Sequence, residues 1–138
     1  MKTIAITLMG WFFFFNQPEI TKKEPEYETI KARITYYRPC PIWGRQVADP
    51  NTKRAVKGES VAAHPDFPFG TKIYIPKLDG VIDDGHFVVH DRGPAVTRKT
   101  ASKGKAYVFD IFVHNQQDIR KYQKHGDYME VRIFKEKS

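Results

Sequence analysis

The side chains that could do chemistry fall in three stretches of the chain. Ser60–Tyr74 reads SVAAHPDFPFGTKIY and contains His64, His90–Ala95 reads HDRGPA and contains Asp91, and Val108–Val113 reads VFDIFV around Asp110. Asp110 interrupts Val108-Phe109 and Ile111-Phe112, so a carboxyl sits inside the most apolar strand candidate of the chain. An ionised carboxylate is too costly to bury alone, so Asp110 must be paired, protonated or at work. A carboxyl whose pKa is raised by apolar surroundings is suited to donating a proton as a general acid. A strand aspartate that only anchors a loop by hydrogen bonds is the plainer alternative. Asp91 ends an apolar strand at an Asp-Arg-Gly-Pro turn, where a loop presents its carboxylate to solvent or ligand.

The elements that must hold these groups are short strands separated by turns. Lys31–Tyr37, Lys72–Ile75, Phe87–His90, Val108–Val113 and Tyr128–Phe134 are rich in Val, Ile, Tyr and Phe. Turn signals lie between them at Pro65-Asp66, Pro68-Phe69-Gly70, Asp79-Gly80, Asp84-Gly85 and Gly93-Pro94. In the second of these, Pro68 fixes φ, Gly70 permits a positive φ, and Thr71 starts the next strand. One helix is expected over 116–124, with Asn115 as N-cap, Asp118 in the first turn, Gly126 after the end, and Ile119 and Tyr122 as its buried stripe. Five or six short strands with one short helix describe an all-β protein, a small closed barrel.

A chain of 138 residues with 41% hydrophobic and 14% aromatic residues has enough apolar material for one packed domain plus a leader. Residues 1–17 begin Met1-Lys2 and continue with an apolar run to Phe15, which is short for a membrane span of ~20 apolar residues. The run is expected to be a signal peptide or a short membrane anchor, which implies an exported, periplasmic or extracellular protein. Residues 18–28, charged and containing Pro25, are expected to be a linker, leaving 29–135 as the barrel domain. The net charge of +7 predicts attraction to polyanions, bacterial wall and nucleic acid alike, and the apparent leader argues against nucleic acid. Cys40 is the single cysteine, so no intrachain disulfide forms. It is expected to be either a buried small side chain or a partner for another chain. His86 and His90 share a strand face and could form a zinc set with His64 or His114, but the spacing is generic, and no metal or cofactor is expected.

Four segments in order carry a resemblance. Ala62-Ala63-His64, Phe67-Pro68-Phe69-Gly70-Thr71, His90-Asp91-Arg92-Gly93-Pro94 and Phe109-Asp110-Ile111-Phe112 resemble the rare lipoprotein A family. That family carries Ala-Ala-His, Leu-Pro-Phe-Gly-Thr, Asn-Asp-Arg-Gly-Pro and Ile-Asp-Leu-Ser. The last segment is even more similar to the three-aspartate wall hydrolases and the barrel of membrane-bound lytic transglycosylase A. Ile34-Thr35-Tyr36-Tyr37 is similar to the first strand of these groups and of expansins. The resemblance spans about residues 32–134 and implies a six-stranded double-psi β-barrel that cleaves peptidoglycan. The three-aspartate families have Asp where this chain has His64, and the loop from Pro94 to Val108 is longer and more basic here.

By that resemblance Asp110 is the general acid of a lytic transglycosylase cutting the MurNAc-GlcNAc bond with a 1,6-anhydro product, and Asp91 and His64 match a catalytic His/Asp pair. One carboxyl group suffices in such a reaction, because the muramyl C6 hydroxyl attacks its own anomeric carbon. Asp91 would face positive charge on the sugar ring, and His64 would position one aspartate by a hydrogen bond. Thr35 would hydrogen-bond the acid, Tyr36 or Tyr37 would stack on a sugar or simply fill the barrel, and the basic loop beginning at Arg92 would hold stem-peptide carboxylates or stand as a solvated charged loop. The expected partner is the peptidoglycan strand and the expected state a monomer. Three alternatives stay open: a non-catalytic expansin-like wall-binding module, a nucleic-acid-binding barrel, and a two-carboxylate hydrolase in which Asp91 or Asp49 activates water.

Overall fold

The computed structural model describes residue 18 and residues 21–136, and in it the sequence YETIKARITYY divides onto the two faces of strand β1 (Tyr27–Tyr37). Ala32, Ile34 and Tyr36 are buried while Arg33, Thr35 and Tyr37 face the other way, the period of two that a pleated strand imposes. The apolar leader expected at residues 1–17 lies outside the described residues. The strand starts two residues inside the expected linker, because Tyr27 and Glu28 already pair with Phe134 and Ile133.

The remaining strands are β2 (Ser60–Ala62), β3 (Lys72–Tyr74), β4 (His86–Asp91), β5 (Val108–Phe112) and β6 (Tyr128–Phe134). They close into a six-stranded barrel in the order β1-β5-β2-β4-β3-β6. β1–β5 and β2–β4 are parallel and the other pairings antiparallel, so the barrel is mixed. Closure pairs every strand on both sides and removes exposed edges. Phe87, Val89, Phe109, Ile111, Ile73 and Val131 fill the interior at 0–1% exposure. Each such side chain contributes about 1.5–3 kcal/mol on burial. Gly70 takes φ +87 in the turn before β3, as Pro68-Phe69-Gly70 requires, and its N–H donates to the Val89 carbonyl at 2.9 Å.

The expected helix is α2 (Gln116–Gln123), capped by Asn115, whose side chain accepts from the Asp118 N–H, and it buries Ile119 and Tyr122 against the barrel. A second, four-residue helix, α1 (Pro94–Thr97), was not expected. With the 3-10 turn Thr100–Ser102 it folds the basic loop onto the outer face of β5 and β1. Val96 there joins Ala62, Val108 and Tyr37 in a small apolar cluster outside the barrel. The loop therefore roofs part of the outer face, whatever else its lysines do.

Candidate active site

Four neighbouring strands align the candidate residues across the outer face. In register, Thr35 of β1 stands opposite Asp110 of β5, Asp110 opposite Ala62 of β2, and Ala62 opposite Asp91 of β4. Two strand spacings, about 10 Å between Cα atoms, separate the aspartates. The Ala62 side chain lies between them, packed with Val96, Val108 and Tyr37.

Asp91 reaches this face because the β2–β4 ladder is irregular. Phe87 and Val89 point into the barrel, and unbroken alternation would turn Asp91 inward as well. Instead Val61 pairs with Val89 and Ala62 with Asp91, leaving His90 as the extra residue of a β-bulge. The bulge is pinned from beneath. His90, 8% exposed, has Nδ1 2.9 Å from Oγ of the fully buried Ser60, and that Oγ also accepts from the Val56 N–H at 2.9 Å.

Asp91 is held by three donors. Its Oδ1 accepts from the backbone N–H groups of Ala48 and Arg92, both at 2.9 Å, and its Oδ2 from the Tyr37 hydroxyl at 3.1 Å. Burial and the charge of Asp91 push the Tyr37 hydroxyl far above the usual phenol range, so it remains a donor. Asp110 has one protein donor, the Thr35 hydroxyl at 2.8 Å to Oδ1. Burial raises its carboxyl to about 6. The Thr35 bond pulls the other way, and the Asp91 charge adds to the rise. Near neutral pH, Asp110 is thus a carboxyl that can both hold and release a proton.

A cleft of about 420 Å³ opens beside Tyr37 and Asp91 and runs past Arg92 to Cys40 and Trp43. Asp110 does not line this cleft; it lies behind Tyr37, whose hydroxyl its charge helps to raise. Trp43 escaped the sequence reading. It lies in a turn closed by the paired backbones of Cys40 and Gly44, with Gly44 at φ +60, and is 68% exposed. An aromatic residue between prolines and a glycine, in a stretch with no strand pattern, was its signal. Cys40 is exposed in the same turn, not buried, and the backbone N–H groups of Trp43 and Ile42 lower its pKa.

Several expectations are corrected. Tyr36 is no sugar platform: alternation turns it into the core, its hydroxyl donates to the Tyr122 carbonyl at 3.4 Å, and burial raises its pKa to about 12. The Arg92 guanidinium donates to the carbonyls of Ala63 (3.1 Å) and Phe67 (2.7 Å) and lies 4.1 Å over the Phe69 ring. These bonds tie the turn after β2 to the barrel, and Arg92 also lines the cleft beside Asp91. His64 accepts from the Asp66 N–H at 3.0 Å, within its own turn, where a bond to Asp91 or Asp110 was expected, and its ring packs on Tyr107. Asp49 is turned into its own loop, accepting from the Asn51 N–H and the Thr52 hydroxyl. The zinc idea separates as well, since His86 stacks on Tyr74 while His90 is bound to Ser60. Among the described residues no three His, Cys, Asp or Glu side chains converge as a metal set. No helix among them is long and apolar enough to cross a membrane.

What the arrangement offers is a half-buried proton-holding carboxyl, a second carboxylate fixed by three donors, and an open cleft with an aromatic at its far end. The chain matches no protein-family model, and no curated protein matches it in sequence.

Proposed function

We propose that this chain is an exported wall-glycan-cleaving barrel of double-psi type, a lytic transglycosylase that cuts the MurNAc-GlcNAc bond of peptidoglycan with Asp110 as its acid and base. The observation that carries the reading is the unequal pair: Asp110 holds a proton near pH 6 and has one protein donor, whereas Asp91 has three. The double-psi assignment draws support from the closed six-stranded barrel with its two parallel strand pairs.

In this mechanism the Asp110 proton passes to the glycosidic oxygen as the bond from that oxygen to the muramyl anomeric carbon breaks. Positive charge then develops on the ring, and the carboxylate of Asp91 stabilises it electrostatically. The Asp110 carboxylate next takes the proton of the muramyl C6 hydroxyl while that oxygen bonds to the anomeric carbon, closing the 1,6-anhydro ring. Asp110 ends protonated, ready for the next cycle. A hydrolase would need a second carboxylate free to activate water. Asp91 suits that role poorly because backbone and tyrosine donors already occupy both its oxygens.

The test is digestion of purified peptidoglycan by the wild type and by Asp110→Asn, with the fragments weighed by mass spectrometry. Anhydromuramyl ends that depend on Asp110 are the expected product. Reducing ends would turn the reading to hydrolysis, and retained wall binding with no fragments would turn it to an expansin-like module.

A further inference from the structure

Behind the turn that carries Trp43 lies a second groove, of about 510 Å³, lined by Trp43, Gly44, Arg45, Gln46, Lys53 and Arg54. Three of these six residues are cationic, Trp43 is aromatic, and none is acidic. Arg45, Lys53 and Arg54 are exposed, and none forms an ion pair among the described residues. The nearest acid in sequence, Asp49, is buried and engaged by its own loop.

The groove has a built wall. The Ala55 N–H donates to the Arg45 carbonyl at 2.7 Å, fastening the segment that carries Lys53 and Arg54 to the one that carries Arg45, and Ala55 itself is buried. The Cys40–Gly44 pairing holds the Trp43 turn, and the Gln46 N–H donates to the Trp43 carbonyl at 3.2 Å. Trp43, Gly44 and Gln46 line both this groove and the cleft beside Asp91, so the two adjoin at the Trp43 turn. An exposed indole beside concentrated positive charge fits a ligand that offers a flat apolar sugar face and an anion within a few ångströms of it.

We propose that this groove is a binding site for the carboxylates of a glycan strand, with Trp43 stacked on a sugar ring where groove and cleft adjoin. The proposal rests on the wall-glycan reading for its choice of ligand. The carboxylate could be the lactyl group of the muramyl ring or belong to an attached stem peptide, and the experiment separates the two.

Binding is measured by calorimetry with the full chain carrying Asp110→Asn, so that strands are not consumed. The probes are chitooligosaccharides without carboxylates, strands stripped of their peptides by an amidase, and strands with peptides attached. Carboxylate-bearing strands are expected to bind more tightly than chitooligosaccharides, a preference that shrinks as salt rises. Replacing Arg45, Lys53 and Arg54 together by Gln is expected to weaken binding to these strands roughly tenfold and leave chitooligosaccharide binding unchanged. Trp43→Ala is expected to weaken all three probes alike. A preference for peptide-bearing over stripped strands assigns the groove to stem-peptide carboxylates, and a preference for stripped strands, whose lactyl carboxyl the amidase has freed from its amide bond, assigns it to the lactyl group. Equal affinity for all three probes, no binding to any, or a triple Gln variant that binds as before would overturn the proposal. Cleavage by the wild type is scored separately. Carboxylate preference without cleavage would count against the catalytic reading alone, and cleavage without preference against this inference alone.

Discussion

Replacing Asp110 by Asn should make the protein more stable and inactive at once, and the two effects share one cause. The Asp110 carboxyl titrates at about 6 in the folded protein, against about 3.9 for an unperturbed aspartate. Below about pH 4 it is protonated in folded and unfolded chains alike and contributes no difference. Between about pH 4 and pH 6 the unfolded chain releases the proton while the folded site keeps it, so stability falls by up to ~1.4 kcal/mol for each pH unit. Above about pH 6 both forms are ionised, and the fold carries a constant penalty of up to about 3 kcal/mol, reduced by whatever solvent reaches the half-buried carboxyl. Asn keeps the acceptor for Thr35 and cannot ionise, so the penalty is absent. Urea unfolding of both proteins across this range should give a stability difference near zero at about pH 4. It should climb to a plateau of about 1–3 kcal/mol in favour of Asp110→Asn by about pH 7.5. A difference that is flat with pH, or a variant less stable than wild type at about pH 7.5, would refute the claim that burial raises this carboxyl.

Thr35→Val removes the hydrogen bond that favours the ionised form, so the Asp110 pKa should rise further, and an NMR titration of its carboxyl carbon should show the upward displacement. Tyr37→Phe deletes the donor to Asp91 Oδ2 and should cost about 0.5–1.5 kcal/mol in denaturant unfolding, together with a loss of turnover. Ser60→Ala unties His90 from the bulge and should destabilise by about 1–3 kcal/mol. It should also lower kcat by letting Asp91 drift, and an unchanged kcat would show that the bulge does not position the carboxylate. Activity of the wild type should decline as pH rises through about 6, because the proton donor is lost, and the midpoint of that limb should move upward in Thr35→Val.

The parts of this fold that announce themselves in sequence are those governed by local rules. Asn115, Asp118 and Gly126 mark α2 because caps and dipoles act within a turn or two, and β5 is legible in VFDIFV because its outer face is roofed as well as its inner one. Ser60–Ala62 shows no strand signal, since three residues between β4 and β5 take their conformation from their neighbours. The bulge at His90 is equally silent. Alternation from Phe87 and Val89 would send Asp91 into the barrel, and only the ladder with β2 reveals the extra residue. Asp110 was suspect from sequence because a charge in an apolar strand needs a reason, and Thr35 and Tyr37 fall beside it through the parallel β1–β5 register. Tyr36 was misjudged for a physical reason, since its neighbour Tyr37 takes the outer position, and the carbonyls that hold the Arg92 guanidinium lie too far away in sequence to be read there. Trp43 was missed because its role depends on a turn closed by backbone pairing.

The central claim is that a single carboxyl carries the cleavage and water takes no part. The measurement that tests it most directly is digestion of peptidoglycan in water enriched in oxygen-18, with mass spectrometry of the newly formed ends. Lytic cleavage predicts fragments one water lighter than hydrolytic ones, free of the heavy isotope and absent with Asp110→Asn. New ends carrying oxygen-18 at the anomeric position, or full activity in Asp110→Asn, would contradict it.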